Sequence, residues 1–200
     1  MKDPTQFADF REAWPDVNGD LLRVTTTYKF DREQYIKNLV DTRRVLDANG
    51  IPCLLAFGTL LGAIRDGGPC DGDQDVDLLT TGDHEPKLVK LFLEHDAMSG
   101  GFRDAGFQII RVSNNILTVA RDGPLGPSYV DVYIFRKVPG AGGNDIYSCA
   151  GSYTIDAWRI ENPWTMPLHG LVWNIPGQPE GYLARVYPNW RVPQNYHART

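Results

Sequence analysis

Gly58-Thr59-Leu60-Leu61-Gly62-Ala63-Ile64-Arg65-Asp66-Gly67-Gly68 is followed, after a short loop, by Asp73-Gln74-Asp75-Val76-Asp77-Leu78. The reading of these two stretches decides the fold. Ile51 to Phe57 is a short apolar run suited to a buried strand, and Gly58 to Arg65 has helical composition, so the chain reads as strand, glycine turn, helix. A helix start presents N–H groups without intrahelical partners and a partial positive charge. Gly58 would let an anion approach the backbone there, and Thr59 adds a hydroxyl donor. Asp75 to Leu79 alternates acid and aliphatic residues, placing Asp75 and Asp77 on one strand face and Val76 and Leu78 on the other.

Upstream, Asp31 to Asn49 reads as a helix. Asp31 can cap it, Gln34 stands three residues later, Ile36, Leu39, Val40 and Leu46 recur at helical spacing, and Gly50 stops it. Downstream, Lys87 to His95 reads as a helix packing Leu88, Leu91 and Phe92. Phe107 to Val112 and Ile116 to Arg121 read as a hairpin turning at Ser113, Asn114 and Asn115. Val130 to Phe135 is a further strand, with Asp131 opposite an apolar face. Gly140 to Asn144 is a glycine-rich break. Beyond it the chain is rich in Trp and Tyr, with a short helix expected over Pro179 to Val186. The expected class is α+β, a mixed sheet flanked by helices. One domain is expected over 30–200, with residues 1–29 as an N-terminal extension.

Composition narrows the function. The 200 residues carry a net charge of −5 and 42% hydrophobic types, enough for one core. No basic footprint of the kind nucleic-acid binding needs is present. No apolar run reaches the roughly 18 residues of a membrane span, and Met1 to Asp20 lacks the plan of a signal peptide, so a soluble, cytoplasmic chain is expected. Cys53, Cys70 and Cys149 show no CxxC spacing, and His84, His95, His169 and His197 form no close pair. Disulfide frameworks and zinc sites therefore find no support. Walker, GxGxxG and GxSxG motifs are missing. The alternating Asp71, Asp73, Asp75 and Asp77 suggest a calcium loop, but Val76 stands where an EF-hand needs glycine and Gly82 where it needs glutamate.

Two carboxylates at i and i+2 converge above a sheet and call for a cation, and oxygen ligands with open positions suit Mg²⁺ or Mn²⁺. Asp131 would complete a three-acid site if its strand lies beside that of Asp75 and Asp77. Arg65 and Arg191 are candidates for neutralising phosphate, against the alternative that each sits in a surface ion pair.

These stretches resemble the LicD/fukutin family of phosphotransferases, whose members write GTLLGAxRxGG and then an acidic W-D-x-D-x-D run. The likeness extends to Val130-Asp131-Val132-Tyr133-Ile134-Phe135 and to Tyr182-Leu183 and Tyr187-Pro188-Asn189-Trp190-Arg191-Val192-Pro193, and covers roughly Gln34 to Pro193. Gly72 stands where the family has tryptophan, and Gln74 replaces an aspartate.

The resemblance implies a nucleotidyltransferase fold. It also implies transfer of a phospho-alcohol, such as phosphocholine or ribitol phosphate, from a CDP-linked donor to a carbohydrate hydroxyl. It assigns Asp75 and Asp77 to the metal, Asp131 as third acid, and Gly58 and Thr59 to a phosphate-contacting turn. Trp158, Trp164, Trp173 or Trp190 would stack a base or fill the core, and choline would reward an aromatic cage. Two other functions stay open: attachment of a nucleoside monophosphate from a triphosphate to a small molecule or protein, and a non-catalytic nucleotide- or glycan-binding module.

Overall fold

The computed structural model describes residues 30–73, 75–93, 101–112 and 115–193. The N-terminal extension 1–29, Gln74, the end of the expected Lys87 to His95 helix, the turn residues Ser113 and Asn114, and His197 lie outside them.

Asp31 caps the first helix, α1 (Arg32–Ala48), its carboxylate accepting the Gln34 N–H at 3.0 Å. Tyr35, Leu39, Val45 and Leu46 turn to the core, and Gly50, with φ 63°, takes the chain out of the helix. The Ile51 to Phe57 run forms only a two-residue strand, β1 (Leu54–Leu55), because the next helix, α2 (Phe57–Asp66), begins at Phe57. The DxD strand is β2 (Asp75–Thr81), followed by a 3₁₀ turn and α3 (Glu85–Leu93). Next come β3 (Gln108–Val112), β4 (Ile116–Gly123) and β5 (Gly126–Pro139), the last much longer than the expected Val130 to Phe135.

The glycine-rich break links β5 to β6 (Asp145–Cys149), and β7 (Tyr153–Asp156) and α4 (Ala157–Glu161) follow. A closing hairpin, β8 (Trp164–Leu168) and β9 (Leu171–Ile175), precedes α5 (Pro179–Val186), which falls where the sequence places it.

Seven strands run in the order β3-β4-β5-β2-β1-β9-β8, and β6 and β7 extend from the far half of β5. The sheet is mixed: β2 runs parallel to β5 and β1 to β9, while β1–β2, β3–β4, β4–β5 and β8–β9 are antiparallel. One apolar row, Val119–Val130–Val76, and a second, Leu117–Val132–Leu78, cross three strands, and all six residues are fully buried. Between these rows, pointing to the opposite face, lies Thr118–Asp131–Asp77. The alternation that buries the core thus lifts the acids to the other face of the same sheet.

Candidate active site

Asp75, Asp77 and Asp131 come together: each offers a carboxylate oxygen within 4.8 Å of the others. The parallel register pairs Asp77 directly with Asp131. Thr118, facing Asp131 from β4, donates its hydroxyl to Asp131 Oδ1 at 2.5 Å. On the other side, the start of α2 reaches Asp77. Ala56 N–H donates to the Asp77 carbonyl at 3.1 Å, and Gly58 N–H donates to Asp77 Oδ2 at 3.0 Å.

Ala56 offers no side-chain cap, so a carboxylate from another strand satisfies a donor at the helix start, where the helix dipole favours negative charge. Phe57 enters α2 with φ 37°, a conformation costly for a residue with a side chain, at the point where the chain turns its N–H groups toward β2. A Cβ at position 58 would stand 3.0 Å from Asp73 Oδ2 and 3.3 Å from Asp77 Oδ2, so glycine lets the acids close onto the backbone.

Thr59 is buried and links three elements. Its Oγ1 accepts the Asp77 N–H at 2.8 Å and lies 2.6 Å from the Tyr35 hydroxyl, which in turn donates to Asp73 Oδ2 at 3.5 Å. One proton per hydroxyl gives a continuous chain from the Asp77 backbone to the Asp73 carboxylate. Asp73, 9% exposed, lines the same cleft; it stands in the acidic run quoted from the sequence and in the rejected calcium loop, and neither reading gave it a role. Burial, reinforced by the charge of Asp75, pushes its carboxyl up to about 7. Asp77 is also raised well above the ordinary range, by burial first and then by Asp75, Asp73 and Asp131, with the Gly58 N–H opposing.

Asp73, Asp75 and Asp77 line a cleft of about 1050 Å³. One wall is aromatic: Phe57 meets Tyr133 edge-on at 4.7 Å and Tyr153 at 4.9 Å between ring centres, and Tyr187 stands on the same cleft. Burial and the nearby carboxylates keep Tyr133 and Tyr187 protonated. None of the tryptophans considered for stacking lines the cleft. Trp173 is fully buried and donates Nε1–H to the Leu168 carbonyl, Trp190 is buried, and Trp158 and Trp164 are exposed on the surface. The lining aromatics are instead Phe57 and Tyr133 beside the acids, with Tyr153 and Tyr187 from the segment that sequence pattern resolved least.

Arg65 lines the cleft, but its fork is engaged. Nε and Nη2 bind the two oxygens of Asp66 at 2.9 and 2.7 Å, and Nη1 reaches the Trp190 carbonyl at 3.5 Å. Arg191 pairs with Glu180 at 2.7 Å and lies over the Trp190 ring, with both partners exposed. Arg32, from the first turn of α1, also lines the cleft, and no sequence motif marks it. Cys70 borders the cleft as a half-buried thiol pushed up to about 12 by burial, and Cys53 is a core residue. Among the described residues, no helix is long and apolar enough to cross a membrane.

A sequence model of the LicD/FKTN/FKRP nucleotidyltransferase domain matches residues 50–178, which span β1 through β9 and so include all three converging acids. No curated protein matches the chain. Among solved structures, the solution structure of the antibiotic-resistance factor ANT(2'')-Ia superposes with a TM-score of 0.48 at 13% identity, over 82% of this chain and 79% of that one. A crystal structure of ANT(2'')-Ia in complex with adenylyl-2''-tobramycin gives 0.43 at 13% identity, over 80% and 82%.

Proposed function

The chain belongs to the LicD/FKTN/FKRP nucleotidyltransferase-domain family, and we propose that it is a Mg²⁺- or Mn²⁺-dependent phosphotransferase that moves a phospho-alcohol from a CDP-linked donor to a carbohydrate hydroxyl. The observation that carries this reading is the convergence of Asp75, Asp77 and Asp131 within 4.8 Å, with Asp75 and Asp77 lining the cleft. Their donor set is all oxygen and all carboxylate, and three carboxylates this close repel one another unless they share a cation, which fits a hard divalent ion. Bound by these three residues, such an ion supplies charge neutralisation to the donor phosphates and to the departing phosphate oxygen.

The protein's own part is positioning. The acceptor oxygen forms a bond to the phosphorus of the phospho-alcohol, the bond from that phosphorus to CMP breaks, and CMP leaves with the bonding pair. Asp131, oriented by Thr118, shares the ion or takes the proton of the attacking hydroxyl. Gly58 and Thr59 act through Asp77: the Gly58 N–H fixes its carboxylate and the Thr59 hydroxyl fixes its backbone. Preorganisation of this kind supports phosphoryl transfer, where placement and electrostatics supply most of the acceleration.

The test is metal-dependent CMP release from a panel of CDP-alcohols with sugar acceptors, beside Asp75→Asn and Asp77→Asn. CMP formed only with metal and only by the unaltered protein supports the reading. Pyrophosphate released from a nucleoside triphosphate, with the CDP-alcohols inert, moves the protein to nucleotidyl transfer. Nucleotide binding without turnover of either substrate makes it a binding module.

A further inference from the structure

We infer that Arg32, on the same cleft as the metal-site acids, is the residue that pairs with the diphosphate of the nucleotide donor. The inference rests on the reading above that the donor is a nucleotide diphosphate ester.

Such a donor carries its negative charge into a cleft also lined by Asp66, Asp71, Asp73, Asp75 and Asp77. One divalent ion offsets only part of that repulsion, so an anion entering here needs a cation whose charge is not already used. Among the described residues, two arginines line the cleft. Arg65 is held by both oxygens of Asp66, by the Cys70 sulfur at 3.3 Å and by a backbone carbonyl, with its side chain 10% exposed. Arg32 is exposed and, among the described residues, makes no hydrogen bond or ion pair. Asp66, whose carboxyl feels the Arg32 charge, is already bound at both oxygens by Arg65.

The seat of the guanidinium is built into the loop after α2. A Cβ at Gly68 would stand 2.6 Å from Arg32 Nη2, so the guanidinium rests where any larger residue would displace it. His169, at the β8–β9 turn, approaches the same glycine: its Cε1 lies 3.7 Å from that Cβ position, and its Nε2 is buried without a partner among the described residues. Burial and the Arg32 charge hold this imidazole toward its neutral form, so it adds no second positive charge beside the arginine. A planar guanidinium with five donors matches phosphate oxygens bidentately, as a point-charge ammonium cannot.

The experiment is calorimetric titration of inorganic pyrophosphate, CDP and CMP into the unaltered protein, Arg32→Gln and Arg32→Lys at saturating Mg²⁺, with Mg²⁺ alone titrated into each. Arg32→Gln should weaken pyrophosphate and CDP by the same factor, roughly 10- to 100-fold, and CMP less. Arg32→Lys should recover part of the loss. Mg²⁺ affinity and thermal midpoint should stay as in the unaltered protein, which a purely structural role for Arg32 would not predict. Metal-dependent binding of CDP by the unaltered protein with equal binding by Arg32→Gln overturns the assignment and leaves the proposed function standing. Absence of pyrophosphate and CDP binding by the unaltered protein overturns both.

Discussion

Replacing Asp77 with asparagine should make the metal-free protein more stable while removing its response to metal. Asp77 is 6% exposed and shares the 4.8 Å cluster with Asp75 and Asp131. Two unit charges at that spacing repel by about 3 kcal/mol at an effective dielectric of about 20. Proton uptake by the raised Asp77 caps this penalty, so the expected gain is about 1–3 kcal/mol. Asparagine keeps the shape and an oxygen for the Gly58 N–H, and its amide can donate to the remaining carboxylates, so no buried partner is orphaned. For a chain of this size each kcal/mol moves the midpoint by about 2–4 °C. Thermal unfolding followed by circular dichroism, in EDTA and then in Mg²⁺, reads the effect. Asp77→Asn should melt several degrees above the unaltered protein in EDTA and gain little from Mg²⁺, whereas the unaltered protein should gain by mass action. A variant less stable in EDTA, or one stabilised by Mg²⁺ as much as the unaltered protein, would refute the view of these acids as a cation site held under mutual repulsion.

Three further outcomes follow from contacts around the site. Thr59→Ala removes the acceptor of the Asp77 N–H and the partner of Tyr35 and should cost about 1–3 kcal/mol in urea unfolding, with Thr59→Ser recovering most of it. Arg121→Met should cost about 3–5 kcal/mol by the same measurement, because this buried guanidinium binds Asp41, Asn38 and the Ala105 carbonyl and lies over Phe107, and its loss leaves those acceptors behind. Asp156 is held below the ordinary carboxylate range by its hydrogen bond from Arg159, with Arg185 adding to it. Its contribution is therefore complete above the unfolded value of about 3.9 and lost as pH falls through the folded one. The stability difference between the unaltered protein and Asp156→Asn should shrink below about pH 4 and stay level from pH 5 to 7.

How far the sequence carried the fold depended on how local the signals were. The Asp31 cap, the Gly50 stop and the alternating acids of β2 act within a few residues, and the elements they announce form as read. The run from Ile51 to Phe57 reads as a strand throughout, yet only Leu54–Leu55 forms one, because apolar composition alone does not separate strand from helix start. The positive φ of Phe57 and the hydrogen bonds from Ala56 and Gly58 to Asp77 decide it, and both depend on a strand 18 or more residues away. The tail hid four strands: β7 and β8 are mostly exposed, so they show no alternation, and Pro167 within β8 is tolerated because that strand lies at the sheet edge. The same holds for the site. Asp75, Asp77 and Asp131 could be paired from their strand patterns, but Arg32 and Tyr153 reach the cleft from separate segments with no motif, and Asp73 and Tyr187 lie in quoted stretches whose pattern assigns them no role.

The site's precision comes from the core beneath it. In both β4–β5 and β5–β2 the row Thr118–Asp131–Asp77 is flanked by fully buried apolar rows, so a slip of one residue in either pairing would drive an aspartate or threonine into the apolar face and lift a valine or leucine into the cleft. The cost of burying a carboxylate without partners far exceeds that of exposing one aliphatic side chain, which makes the register a consequence of hydrophobic burial with a strong penalty against error. The Thr118 hydroxyl and the Gly58 N–H then set the orientation of Asp131 and Asp77 within that register. Carboxylates that repel one another are thus held together by forces none of them supplies: the burial of six aliphatic side chains on one face and two directed hydrogen bonds on the other.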